Sequence, residues 1–265
     1  MTNTSSQKYR TLSGDSLDKG NPGKELFIGA PRDASCRRTV KVITDKIKRM
    51  AALKGFCILD VGCGEGSFTE IFGQSFSEVY GIDVQTNHLD SFRARVRGQP
   101  GKKYLIASMD ASAMDFPEDF FDTIISIETL EHVPRLKECS SEIARVIKPK
   151  GQLVLTVPNR WFPFENHGAQ IGRWRLGRVP LLTYLPFLHK RYALARVFSL
   201  KDLIRLFEPL GFKLEKFDYA WPTFEHEGNP LQALLRPFFP LMRLLESSPL
   251  KFFGTSIIAK FVKIN

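Results

Sequence analysis

Two groups of residues have the types and spacing to do chemistry. Glu128, Glu131 and His132 form an E-x-x-E-H cluster at the end of an apolar run, residues 121–127, and His167 follows in the triplet Glu165-Asn166-His167. Carboxylates and imidazoles take up or deliver protons near neutral pH, and hard carboxylate oxygens with an imidazole also suit a divalent cation. His132, His167 and Glu128 are therefore catalytic candidates. Glu128, Glu131, His132 and His167 form a lesser, metal-ligand alternative, and a purely structural role at a sheet edge stands beside both. The second group is Asp60-Val61-Gly62-Cys63-Gly64-Glu65-Gly66, between an apolar run and a helical pattern from Ser67. This reads as strand, tight turn, helix, with glycines that let a ligand approach the main chain. The spacing is G-x-G-x-G, whereas a dinucleotide fingerprint is G-x-G-x-x-G and offers a helix N-terminus to a pyrophosphate. Carboxylates at 60 and 65 would repel a pyrophosphate and suit a ligand with an ammonium group and no phosphate.

S-adenosylmethionine (SAM) is such a ligand, and at these residues the chain resembles motif I of the class I SAM-dependent methyltransferases. The resemblance places Asp60, Gly62, Cys63, Gly64 and Gly66 around the methionyl part. Asp83 lies 23 residues after Asp60, at the tip of a second apolar segment. An acid there accepts hydrogen bonds from both ribose hydroxyls, and Val84 follows it in the cofactor-binding set. By resemblance, Asp110 receives the adenine amino group and the Ala111 N–H meets a ring nitrogen. Glu128, at the end of strand four, belongs to the cofactor set as well. Asp115-Phe116-Pro117 and the Lys148-Pro149-Lys150-Gly151 turn are similar to stretches of the same family. The branch that includes the ubiquinone and menaquinone pathway enzymes is the nearest. E-x-x-E-H resembles metal-binding residues of ubiquinone-pathway O-methyltransferases and of small-RNA terminal 2′-O-methyltransferases, the latter with a further histidine after strand five. E-x-L-E-H-V is also common across this branch without metal.

The elements that must position these residues are legible as alternating patterns. Helices are expected over residues 32–53, 67–74, 87–97, 136–147 and 199–210, and strands over 56–61, 77–82, 104–107, 121–127, 152–157, 212–219 and 254–262. The fold class is α/β: a Rossmann-like, mostly parallel seven-stranded sheet with helices on both faces and lid insertions after strands five and six. By resemblance strand seven runs antiparallel to strand six. Residues 1–30 are polar and Gly/Pro-punctuated and expected to be flexible. Residues 31–265 form the methyltransferase domain, with insertions at about 158–198 and 221–252.

Composition bears on partners. The 265 residues carry a formal charge of +10, and from Gly151 onward 16 basic residues face 8 acidic ones, so +8 of it lies there. The first insertion holds seven basic residues and one acid, interleaved with Trp161, Trp174, Phe187 and Tyr192. That suits an anionic membrane surface, less so single-stranded nucleic acid, and equally a cap with its own small core. The four cysteines lack metal-ligand spacing, and Cys57 and Cys63 read as small apolar fillers. No signal-peptide pattern and no apolar run of about 18 residues occurs, so a cytoplasmic location is expected, peripheral to a membrane where the insertions bind one. The expected function is SAM-dependent methylation of a small, hydrophobic or lipid-linked acceptor, on oxygen. A metal-assisted RNA 2′-O-methyltransferase and a non-catalytic SAM-fold binding protein are the alternatives.

Overall fold

The computed structural model describes residues 37–99, 102–222, 244 and 246–264. The expected flexible segment 1–30 and most of the second insertion, including its Leu/Pro/Phe-rich stretch, lie outside the described residues.

Short apolar runs become the middle of a sheet. β1 (Cys57–Val61) is buried along its whole length, and β4 (Phe121–Ile127) is buried at all but Asp122. Runs of this kind need cover on both faces, which favours a parallel sheet packed by helices. The sheet has the order β10-β11-β5-β4-β1-β2-β3, with β2 (Glu78–Asp83), β3 (Lys103–Ser108), β5 (Ile147–Pro158), β10 (Phe212–Ala220) and β11 (Ser256–Lys263). All neighbours from β5 to β3 are parallel, whereas β11 is antiparallel to both β5 and β10. Successive strand residues point to opposite faces. Leu59, Ile124 and Leu155 therefore join one core with Ile143 of α4 (Leu136–Val146) and Leu203 of α6 (Leu200–Phe207). Ile58, Ile125 and Val154 join the other, with Ile43 and Ile47 of α1 (Arg37–Met50) and Phe68 and Phe72 of α2 (Ser67–Gly73). A third cluster packs Leu89 and Phe92 of α3 (Thr86–Val96) against Cys63. On α1 the buried Lys46 ammonium meets Asp218 of β10 at 3.0 Å and Glu246 at 2.8 Å.

One expectation needs correction. Strand five begins at Ile147 rather than at Gln152, because the Lys-Pro-Lys-Gly segment stays in the ladder. A register shift absorbs it: Phe121 pairs with Ile147 and Thr123 with Gln152. The first insertion folds into short regular elements. β6 (Phe164–Glu165) pairs with β9 (Val179–Pro180), and β7 (Ala169–Ile171) with β8 (Trp174–Leu176). With α5 (Pro186–Tyr192), they surround a small core of Ala169, Leu182 and Ala193. Strands of two or three residues are too short for alternation to show.

Candidate active site

The chain runs from β1 outward through β2 and β3, then returns to β4 on the other side of β1. The crevice at the carboxyl ends of β1 and β4 is thus a topological switch point, where open α/β sheets bind ligands. Into it come residues 62–66 from β1, Asp83 from β2 and residues 128–132 from β4.

Gly62, Gly64 and Gly66 all have positive φ (77°, 50° and 82°). They differ in surroundings. A Cβ on Gly62 would collide with Thr129 and one on Gly66 with Phe92, whereas at Gly64 no atom lies within 4 Å. Two of the glycines permit close packing, and the third borders open space. The loop is tied to β2: Gly62 N and Cys63 N donate to Ile82 O at 2.8 and 3.0 Å, and Gly64 N donates to Asp83 Oδ2 at 2.9 Å. Asp83 Oδ1 accepts from Gln85 N at 2.9 Å, and each carboxylate oxygen has a second lone-pair direction for a ligand. Val84, beside it, is exposed.

Asp60 and Cys63 turn inward. Asp60 is 2% exposed, and its Oδ2 accepts from Thr69 Oγ1 of α2 at 2.6 Å. Burial, aided by Asp83, raises its pKa to about 7 against the Thr69 bond. Asp60 thus underpins the loop from within, and little of it is left to meet a ligand. The Cys63 thiol is buried beside Gly81, and burial pushes its pKa well up.

Asp110 Oδ1 accepts from Ser112 N (2.8 Å) and Ser112 Oγ (2.6 Å), and Oδ2 from Arg135 Nη2 (2.7 Å). Burial works to raise its pKa, but these donors together hold it below the usual carboxylate value. Ala111 packs, half-buried, against the main core.

At the end of β4, Glu128 adopts φ 52°, a conformation rare outside glycine. Its N–H donates to Thr156 O at 3.0 Å, and its Oε1 accepts from Thr156 Oγ1 at 2.9 Å. Glu131, 2% exposed, lies between two imidazoles: its Oε1 is 3.8 Å from Nε2 of His132 and 3.8 Å from Nε2 of His167. The two rings stand 5.3 Å apart at 74°. Burial, then the neighbouring His167 and Arg196, lower the His132 pKa to about 4. Three of the four residues in the metal-ligand alternative come together. Glu131, His132 and His167 bring ligand atoms within 4.8 Å of one another, and Glu128 is not among them, its left-handed turn having carried its carboxylate to Thr156. Arg196, from the first insertion, clamps this edge. Its N–H donates to Glu131 O at 3.2 Å, and its guanidinium to Val133 O and, at 3.0 Å, to Pro134 O.

A family model described as a methyltransferase domain matches residues 59–155, the stretch from the glycine loop through β5. Over this segment the chain is similar to that family. The ubiquinone biosynthesis O-methyltransferase of Rhodopseudomonas palustris (strain BisA53) is 31% identical over 163 residues, 60% of each chain. That of Paracidovorax citrulli (strain AAC00-1) is 35% identical over 116 residues, 43% of this chain and 48% of the relative. The chain thus spans 60% or less of these relatives' lengths. The solved S-adenosylmethionine dependent methyltransferase of Mesorhizobium loti superposes with a TM-score of 0.56 at 20% identity, covering 87% of this chain and 98% of its own, a likeness of fold.

The crevice has open space beside the loop. Gly64 borders that space, and the Asp83 carboxylate beside it keeps acceptor directions that its two backbone donors do not use. Glu165 and His189 carry no role in the sequence reading, yet the structure joins them to the site. Glu165, 1% exposed, accepts from His167 N at 2.8 Å and lies 2.5 Å from His189 Nε2 of α5. Burial alone would raise its pKa, but the two histidines more than offset this and bring it to about 2. The one available signal was the E-N-H triplet.

Proposed function

We propose that this chain is a methyltransferase acting on an oxygen of a small, hydrophobic or lipid-linked acceptor, with His167 as the proton acceptor. The supporting observation is the placement of the Glu131–His132–His167 cluster at the carboxyl end of β4, adjacent to the glycine loop of β1. SAM, when bound, supplies an electrophilic methyl group on a sulfonium. Gly62, Gly64 and Gly66 shape its seat, Asp83 holds the ribose, and Asp110 with Ala111 takes the adenine. A His132 pKa near 4 makes that ring a poor base at neutral pH, so accepting the acceptor's hydroxyl proton falls to His167, with Glu131 beside it to balance the charge. The relatives named ubiquinone biosynthesis O-methyltransferase support oxygen as the acceptor atom.

The three converging ligand atoms favour a second reading, in which Glu131, His132 and His167 hold a divalent cation that acidifies the acceptor hydroxyl. SAM binding by calorimetry tests the first premise. Turnover of His132→Ala and His167→Ala, with and without a chelator, separates base from metal, and full turnover throughout would remove both readings. Among the described residues, no helix is long and apolar enough to cross a membrane. Phe187 (76% exposed) and Trp174 (66%) project beside Arg173, Arg175, Lys190 and Arg191, and this supports peripheral docking on an anionic membrane from the cytoplasmic side.

A further inference from the structure

We infer that Glu165 is a positioning residue that sets the tautomer of His167. The inference rests on the reading of His167 as a site residue. Glu165 ends the two-residue strand β6 and is nearly inaccessible. Its Oε1 takes the His167 backbone N–H and lies 3.5 Å from Nδ1 of the same ring, while its Oε2 is held at 2.5 Å by Nε2 of His189. The opposite ring nitrogen, Nε2 of His167, faces Glu131 and His132. An ionised carboxylate only accepts hydrogen bonds. Each ring nitrogen faces a carboxylate, and Glu165 is the nearer, 3.5 Å from Nδ1 against 3.8 Å between Nε2 and Glu131, so Nδ1 carries the proton and the Nε2 lone pair is left on the side of Glu131 and His132, where an acceptor's proton or a cation would be held. His189 has its own part. By donating to Oε2 from α5, it fixes the carboxylate plane, so the insertion supplies an oriented base as well as a cover. The same tautomer serves the base and the metal readings.

The test is ring ¹⁵N NMR of the whole protein at mildly alkaline pH, with the His167 signals assigned by their loss in His167→Gln. The Nδ1–H tautomer is expected in the unmodified protein. Glu165→Ala should move the ring toward Nε2–H and lower kcat about 10- to 100-fold, with KM within about three-fold. Glu165→Gln should restore most of kcat, because the amide oxygen still accepts from His167, while the amide NH2 reverses the tautomer of His189. An Nε2–H ring in the unmodified protein overturns the inference, and so does a folded Glu165→Ala with unchanged tautomer and kcat. Should Glu165→Ala not fold, the unmodified protein and Glu165→Gln decide. Full turnover by His167→Ala would instead remove the reading beneath, and the tautomer result would stand apart from it.

Discussion

Replacing Asp60 by Asn should make the protein more resistant to alkaline conditions, by an amount that follows from burial. The carboxyl titrates near 3.8 in an unfolded chain and at about 7 in the native state. Between those values the folded protein keeps a proton that the unfolded chain has lost. Stability from this group is complete below about pH 4, falls by about 1.4 kcal/mol per pH unit, and is gone above about pH 7, a total of about 4 kcal/mol. The substituted asparagine keeps an oxygen for the Thr69 hydroxyl and has no proton to lose. Its amide NH2 adds a pH-independent cost of about 1 kcal/mol where it finds no acceptor. Urea denaturation of both proteins at a series of pH values isolates the term, since all other titrations cancel. The stability difference should shift in favour of Asp60→Asn by about 1.4 kcal/mol per unit from about pH 5 to 7 and then level off. A difference that does not change with pH would refute the argument. Calorimetry with SAM adds a second check: affinity within about three-fold is expected of a buried support, and a loss of about a hundred-fold would make Asp60 a direct ligand.

Gly62→Ala and Gly64→Ala should separate packing from binding. The first drives a Cβ into Thr129 and should cost about 2 kcal/mol or more in thermal melts; the second costs only about 1 kcal/mol from its left-handed φ but fills the open space and should weaken SAM binding at least about ten-fold. Acid should destabilise the site in two stages. His132, neutral in the native state down to about pH 4, forfeits stability as pH falls from about 6.5, by about 3 kcal/mol in all, and Glu165 adds a loss from about pH 4.5 toward 2. Urea melts of His132→Gln should lack the upper stage. Trp174→Ser with Phe187→Ser should reduce co-sedimentation with anionic liposomes about ten-fold or more while leaving urea stability nearly unchanged, since both side chains are exposed.

The framework of the site was legible because its strands are short apolar runs that lead to named residues: Asp60, Asp83 and Glu128 each stand at or beside a carboxyl edge. What sequence could not show is the direction of the last side chain. Asp60 follows the strand's alternation, which carries it into the seam with α2, where Thr69 meets it. Glu128 leaves its strand through a left-handed turn, and no pattern of residue types distinguishes that from an ordinary strand end. The E-x-x-E-H spacing did announce Glu131 and His132, and resemblance suggested His167. Glu165 and His189 were out of reach, because their meeting depends on how two- and three-residue strands fold back, and so short a segment has no period to read.

The position of β11 has a consequence for the order of assembly. It follows β10 in the sequence, yet it lies between β5 and β10, so β10 reaches the sheet only through it. During synthesis, β1 to β5 can pair while β10 waits without a neighbour. Asp218, the strand's partner for the buried Lys46 of α1, waits with it. The Lys46–Asp218 contact that ties α1 to β10 therefore forms in place only after β11 has been made and has paired.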